Sequence, residues 1–362
     1  MGTRFRTLGL SILIAVFSVS CASDGGPDDS ARPDPETTSA STSPPTSTST
    51  APSDSAAESS NDGRGDAEIS VVDGGGDTVT LDQPATRVAC RNSGCSVTLA
   101  ELGIVPVAST FEPARAEFYW GEAAADITLM AEGAENYAAM EADLIVVGAP
   151  DPILSDLRVI APVYVIAELG TLADDAVKLT QDLATLTGTD GRGAEMVQQW
   201  ERIAADLRAN PIAGAADIEL LQLWGGNPAG FSGWTSNSQW CDLLTEFALV
   251  GSCLFDPATP GADFTEFSTE AVLAAQPTHI SVQLEWQYIG ESVPLENRAD
   301  EAWLQLNAVA DGNAYRVPTS GNFTPSFYEL IYELENYLFH VFGPDAGFSD
   351  PGFFIDWPGP GA

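Results

Sequence analysis

Positive charge is what this 362-residue chain has least of: 14 Lys and Arg stand against 52 Asp and Glu, and Lys178 is the only lysine. Nucleic-acid binding needs a basic footprint, so that class is excluded. Adhesion to an anionic membrane surface is excluded on the same ground. Histidine is equally scarce, with only His279 and His340. A site for a bare zinc or manganese ion wants several histidines beside carboxylates, so no metal site is expected, and both histidines read as structural. No G-x-S-x-G, G-x-x-x-x-G-K-[ST] or H-E-x-x-H occurs. The glycines at Gly74 to Gly76 and Gly225 to Gly226 are turn signals, and paired acids in so acidic a chain discriminate nothing. An enzyme is therefore not read here. No apolar run reaches the ~20 residues of a membrane-spanning helix.

The acidity itself has two readings. It suits a solvated surface in a salty medium, and it biases a binding site toward cationic or neutral ligands.

The first 21 residues have the layout of an export signal. Arg4 and Arg6 precede an apolar run from Leu8 to Val19, and Ser18-Val19-Ser20 places small residues before Cys21. The segment resembles a bacterial lipobox, with Ser18 where Leu or Val is usual. That resemblance implies a lipid on Cys21 and an anchor in the outer face of the cell membrane; the alternative is plain secretion with cleavage near Ala22. Residues 22–67 are nearly all Ser, Thr, Pro, Asp, Gly and Ala. They cannot bury enough apolar surface to offset the entropy of ordering, and they read as a tether. Four further cysteines, Cys90, Cys95, Cys241 and Cys253, allow three pairings in an oxidising compartment. The local pairs Cys90–Cys95 and Cys241–Cys253 are favoured by their spacing.

The rest alternates short strands with helices, the pattern of an α/β fold with a mostly parallel sheet. A first lobe over 68–170 opens on a hairpin around Asp73-Gly-Gly-Gly76 and contains the all-apolar strand after Asp143. Helical spacing of Val177, Leu179, Leu183, Leu186, Val197, Trp200, Ile203 and Leu207 marks a long connecting helix over 171–211, with a break suggested near Gly188 to Gly193. A second lobe over 212–345 repeats the alternation, and the acidic, aromatic tail over 346–362 has no placeable pattern. Glu135 to Ile145 and Glu270 to Ile280 share one layout: a Glu, a short amphipathic helix, then a buried strand starting eight residues after the Glu. The two lobes are expected to be built alike.

Seven segments in order resemble the siderophore, haem and cobalamin branch of the substrate-binding proteins of bacterial ABC importers. They are the opening Thr78 to Val88, Leu99 to Val107, Ala142 to Val146, Ile160 to Val165, Phe267 to Pro277, Trp303 to Val309 and Asn313 to Pro318. Ala142 stands where the family usually has proline. The resemblance implies two Rossmann-like α/β lobes joined by a single long backbone helix, with ligand held between the lobes. It implies a monomer with no resident cofactor, capturing a ferric siderophore or similar metal chelate for the permease subunits of an importer. Haem or cobalamin is the alternative cargo, and a surface lipoprotein that kept the fold without transport is the alternative class. For haem, Tyr119 or Tyr288 would have to serve as axial ligand.

Ligand loops in α/β lobes lie at the carboxyl ends of strands. That rule selects Arg91 and Asn92, the segment from Thr110 to Gly121 with Arg115, Tyr119 and Trp120, and the turn from Gly148 to Asp151. In the second lobe it selects Trp224, the segment from Phe231 to Trp240 with Trp234 and Trp240, then Trp286, Tyr288 and Phe323. Flat aromatic faces suit large, greasy chelates, and the two arginines suit chelate oxygens. The resemblance also implies that Glu135 and Glu270, one per lobe, engage the permease.

Overall fold

The computed structural model describes residues 68–111, 113–130, 133–166, 170–224, 231–256, 264–285, 301–319 and 326–343. In the first lobe these residues form β1 (Ile69–Val72), β2 (Thr78–Leu81), β3 (Val88–Cys90), α1 (Ser93–Glu101), β4 (Ala108–Ser109) and α2 (Pro113–Trp120). Then come β5 (Thr128–Leu129), α3 (Ala134–Ala139), β6 (Leu144–Gly148), α4 (Leu154–Ile160) and β7 (Val163–Ile166). Two helices follow, α5 (Leu172–Thr187) and α6 (Asp190–Ala209). The second lobe contains β8 (Glu219–Trp224), β9 (Phe231–Trp234), α7 (Gln239–Glu246), β10 (Ser252–Cys253), β11 (Phe264–Phe267) and α8 (Thr269–Ala275). It ends with β12 (His279–Glu285), α9 (Asn307–Ala310), β13 (Ala314–Thr319) and α10 (Phe327–Phe342).

Side chains alternate across a strand, so a run buried on both faces needs apolar residues at every position. The four residues Leu144 to Val147 meet that need and are all fully buried. Leu144 and Val146 enter one core with Val88 and Cys90, while Ile145 and Val147 enter another with Ala89. The first sheet runs β5-β4-β3-β6-β7, every pair parallel. The second runs β11-β9-β8-β12-β13, with β10 also on β8. There β10, β12 and β13 are parallel partners, while β9 and β11 join antiparallel. The order β4-β3-β6-β7 thus recurs as β10-β8-β12-β13. The repeated layout of Glu135 to Ile145 and Glu270 to Ile280 is the α3–β6 and α8–β12 unit of each sheet. The two lobes are built alike, as the sequence repeat suggested.

The connecting segment is two helices, not one continuous rod. Gly188 caps α5 in the left-handed region at φ 70°, and α6 restarts at Asp190. A Cβ on Gly193 would lie 2.6 Å from that of Ala184, so α6 crosses close over α5 instead of prolonging it. Its apolar face, including Val197, Trp200, Ala204 and Leu207, enters a core that also takes in α5, α7, α10 and both sheets. Both local disulfides form: Cys90–Cys95 and Cys241–Cys253, with Cα atoms 5.5 and 6.2 Å apart. After α7 the chain reverses through Ala248, at φ 50°, and this returns Cys253 to Cys241.

Gly233 lets β9 approach β8 unusually closely. A Cβ there would lie 1.9 Å from the Gln222 carbonyl oxygen, a backbone atom that cannot rotate away. Gly233→Ala is expected to cost about 2–3 kcal/mol of stability by forcing the strands apart. Urea unfolding followed by tryptophan emission checks this; an unchanged midpoint would contradict the close pairing.

Candidate functional site

In the first lobe the chain leaves β3 at Arg91 beside the end of β6. The Arg91 N–H donates to the Val146 carbonyl at 2.8 Å, which fixes the residue on the sheet edge. Its guanidinium Nε donates to Asp151 Oδ2 at 2.6 Å and a terminal nitrogen to the Tyr137 hydroxyl at 3.1 Å. Asp151 in turn accepts the Ile153 N–H at 2.9 Å, and its side chain is only 7% exposed. Tyr137 is fully buried on α3. Burial pushes its phenol above the ordinary tyrosine range, and the hydrogen bond from Arg91 opposes this only in part. The hydroxyl therefore stays protonated at neutral pH. The Cys90–Cys95 disulfide brackets the same turn. Asn92 is the N-cap of α1 and accepts the Gly94 N–H at 2.7 Å. Its amide lies where a side chain on Gly148 would stand, 2.9 Å from the position of a Cβ.

In the second lobe Trp224 ends β8. Register places Trp234 of β9 opposite Gln222, and Phe264 of β11 opposite Trp234. Register partners share a face and residues two apart on a strand share it too, so Trp224, Trp234 and Phe264 line one side of the sheet. The rings meet edge to face, Trp224 to Trp234 at 5.8 Å and Trp234 to Phe264 at 5.3 Å. Phe264 remains 42% exposed and both tryptophans are half-buried.

Other expected ligand residues stand elsewhere. The segment from Thr110 to Gly121 is largely helix, not loop, because Pro113 starts α2 and Arg115, Ala116, Tyr119 and Trp120 recur at helical spacing. All four are buried. Tyr119 stacks on Phe111 at 5.3 Å, and the Trp120 indole N–H donates to the Ile104 carbonyl at 3.0 Å. The Arg115 guanidinium lies 3.8 Å over the Phe111 ring. These residues pack the lobe instead of lining a cleft, and Tyr119 is not available as an axial ligand. Trp240 is likewise buried, on α7 against the shared core. Trp286, Tyr288 and Phe323 lie outside the described residues, as does Cys21. Tyr137, which the strand-end rule could not select because it sits on a helix, is the partner that the sequence reading missed.

Glu135 and Glu270 are both exposed in the first turn of their helices, α3 and α8. An acid is stabilised there by the helix dipole. Glu135 and Tyr137 share one six-residue helix, so the outer carboxylate and the partner of Arg91 are rigidly linked. His279 is half-buried at the start of β12, and burial lowers its imidazole below the ordinary range. His340 stacks on Tyr315 at 5.3 Å. Among the described residues no group of three or more His, Cys, Asp or Glu is placed to hold a metal ion. Two cavities among the described residues lie away from the carboxyl ends of the core strands. One is an open groove of about 710 Å³ between β2 and the α4–β7 turn, the other a cleft of about 200 Å³ between α6 and α10.

This architecture is that of the two-lobe periplasmic binding proteins with a helical connection. A periplasmic binding protein from Veillonella parvula superposes with a TM-score of 0.61 at 18% identity, covering 80% of this chain and 96% of that one. The periplasmic catecholate-siderophore binding protein VctP from Vibrio cholerae gives 0.58 at 14% identity, covering 72% and 96%. The siderophore binding protein FhuD from Vibrio cholerae, in its Fe3+–Desferal complex, gives 0.55 at 20% identity, covering 71% and 97%. No protein-family model matches the sequence, and no curated protein matches it.

The Arg91 cluster makes a graded prediction. Tyr137→Phe removes one hydrogen bond and is expected to cost about 1 kcal/mol. Asp151→Ala leaves a half-buried guanidinium and the Ile153 N–H without their acceptor, and is expected to cost about 2–4 kcal/mol. Denaturant unfolding of both variants checks the order; equal losses would mean that Asp151 does not anchor the turn.

Proposed function

We propose that this chain is an extracytoplasmic lipoprotein that captures a ferric siderophore between its lobes and delivers it to an ABC importer. The observation that carries the reading is the doubled sheet order, which gives each lobe a strand-end binding edge in a fold shared with siderophore-binding proteins. The first lobe's edge offers a guanidinium held by a carboxylate and a phenol. The second offers an aromatic ladder. Together they suit a chelate with polar oxygens on one side and apolar surface on the other. The metal enters as cargo wrapped in its own ligand, and no step of catalysis is involved.

Among the described residues no helix is long and apolar enough to cross a membrane. Attachment would come through a lipid on Cys21, with residues 22–67 as the tether. The protein acts as a monomer, and the importer's permease subunits are its partners. Glu135 and Glu270 are the proposed docking charges: exposed, one on each lobe, and at matching places in the repeated unit. Two such charges would let the permease read both lobes at once and steer encounter.

Titration of the purified protein with ferric siderophores is expected to quench tryptophan emission at micromolar levels, through Trp224 and Trp234. Haemin and cobalamin serve as controls: a Soret band with haemin and no siderophore response would replace the cargo. Charge reversal at both docking sites, Glu135→Arg with Glu270→Arg, is expected to reduce uptake by at least ~10-fold while leaving the quench titration unchanged. Normal uptake by that variant would remove the two glutamates from docking.

A further inference from the structure

The basic residues of this chain are few, and most of those described are already committed. Arg158 pairs with Asp77, Lys178 with Asp182 and Arg208 with Glu246. Arg87 donates to the Glu141 and Met140 carbonyls, and Arg192 donates to the Glu101 carbonyl. Lys178 also donates to the Val72 carbonyl at the end of the β1–β2 hairpin, away from the two main sheets. Arg115 sits inside the first lobe against Phe111. At the described binding edges the cation is Arg91, and Asp151 lies 2.6 Å from it. The pair is close to neutral as a unit. In the second lobe the described rings Trp224, Trp234 and Phe264 are themselves uncharged. Around both lies the field of a chain with a formal net charge of −38.

A ferric complex of three catecholates carries three net negative charges, because each ligand is a dianion. A ferric complex of three hydroxamates is neutral, or cationic when its backbone bears a free amine. An anionic chelate entering this cleft would meet like charge at long range and a guanidinium already neutralised at short range. A neutral or cationic chelate meets neither obstacle, and the aromatic ladder suits its apolar or cationic flank.

We propose that the cleft selects ferric chelates of zero or positive net charge, of the trihydroxamate kind, and rejects tris-catecholates, with Asp151 as the residue that sets this preference by neutralising Arg91. The inference rests on the siderophore-binding reading given above. It adds a charge class and a specificity-determining residue to that site.

The test compares three probes by tryptophan quenching: a neutral ferric trihydroxamate, a cationic ferric trihydroxamate and a trianionic ferric tris-catecholate. Both hydroxamates are expected to bind, and the tris-catecholate at least ~100-fold more weakly at low salt. Raising ionic strength from ~0.01 M to ~1 M shortens the Debye length from about 30 Å to about 3 Å. Over that range binding of the cationic complex should weaken, that of the tris-catecholate should strengthen, and that of the neutral complex should hold within about twofold. In Asp151→Asn the amide keeps an acceptor for the Ile153 N–H but loses the charge opposite Arg91. Tris-catecholate affinity should then rise by ~5-fold or more at low salt. Should that variant fail to fold, the wild-type salt series decides by itself. Tris-catecholate binding as tight as hydroxamate binding overturns the selection and leaves the siderophore reading standing. No response to any of the three probes sinks both.

Discussion

One apolar core runs from the first sheet to the second, and the placement of everything else follows from it. Val88, Leu144 and Tyr164 of the first sheet, Leu220 and Tyr315 of the second, and the inner faces of α5, α6, α7 and α10 belong to a single buried cluster. Each buried Leu or Val contributes roughly 1.5–3 kcal/mol relative to exposure, so a shared core of this extent binds the lobes as one body. Polar contacts reinforce the join: Gln239 of α7 donates to the Gly170 carbonyl at 3.3 Å and to Asp175 at 3.2 Å. Within the second lobe, Tyr337 of α10 donates to the Leu249 carbonyl at 2.7 Å. The lobes are therefore coupled through packed helices, not through a flexible strand.

That coupling gives the binding edges fixed directions. Because β4, β3, β6 and β7 are parallel, as are β10, β8, β12 and β13, the carboxyl ends of these strands gather on one side of each sheet, and Arg91 and Trp224 emerge there. The first edge is rigid for a covalent and an electrostatic reason: the Cys90–Cys95 link and the Arg91–Asp151–Tyr137 cluster close on the same turn. The second edge is rigid because three rings support one another across three strands. Preorganised walls of this kind reduce the entropy lost when a ligand binds.

The two lobes, the helical connection, the local disulfides and the repeated helix–strand unit were legible in the sequence. Each leaves a local mark: fully apolar strands, helical spacing, short cysteine separations, a Glu eight residues before a buried strand. The aromatic residues were harder to assign. The strand-end rule puts Trp120 and Trp240 on loops, where tryptophan is seldom needed for packing, yet both lie on helices whose buried faces hold them. In the segment from Pro113 to Trp120 the helical spacing of Arg115, Ala116, Tyr119 and Trp120 marks the buried face. The kink at Gly188 was suggested by glycine content, but its consequence, α6 crossing α5 at Gly193 and Ala184, depends on a contact between residues nine apart.

By itself, then, the sequence determined the fold class, the order of the elements and the acidic balance, since these depend on local periodicity and composition. Only the tertiary structure decided which side chains stand together at the strand ends. Arg91 meets Asp151 and Tyr137 across separations of 60 and 46 residues. Trp224, Trp234 and Phe264 share a face only because β9 and β11 pair in one register. A strand shifted by one residue would turn those rings to the opposite side. Such long-range pairings are fixed by packing of the whole chain, and no short stretch of sequence carries a signal for them.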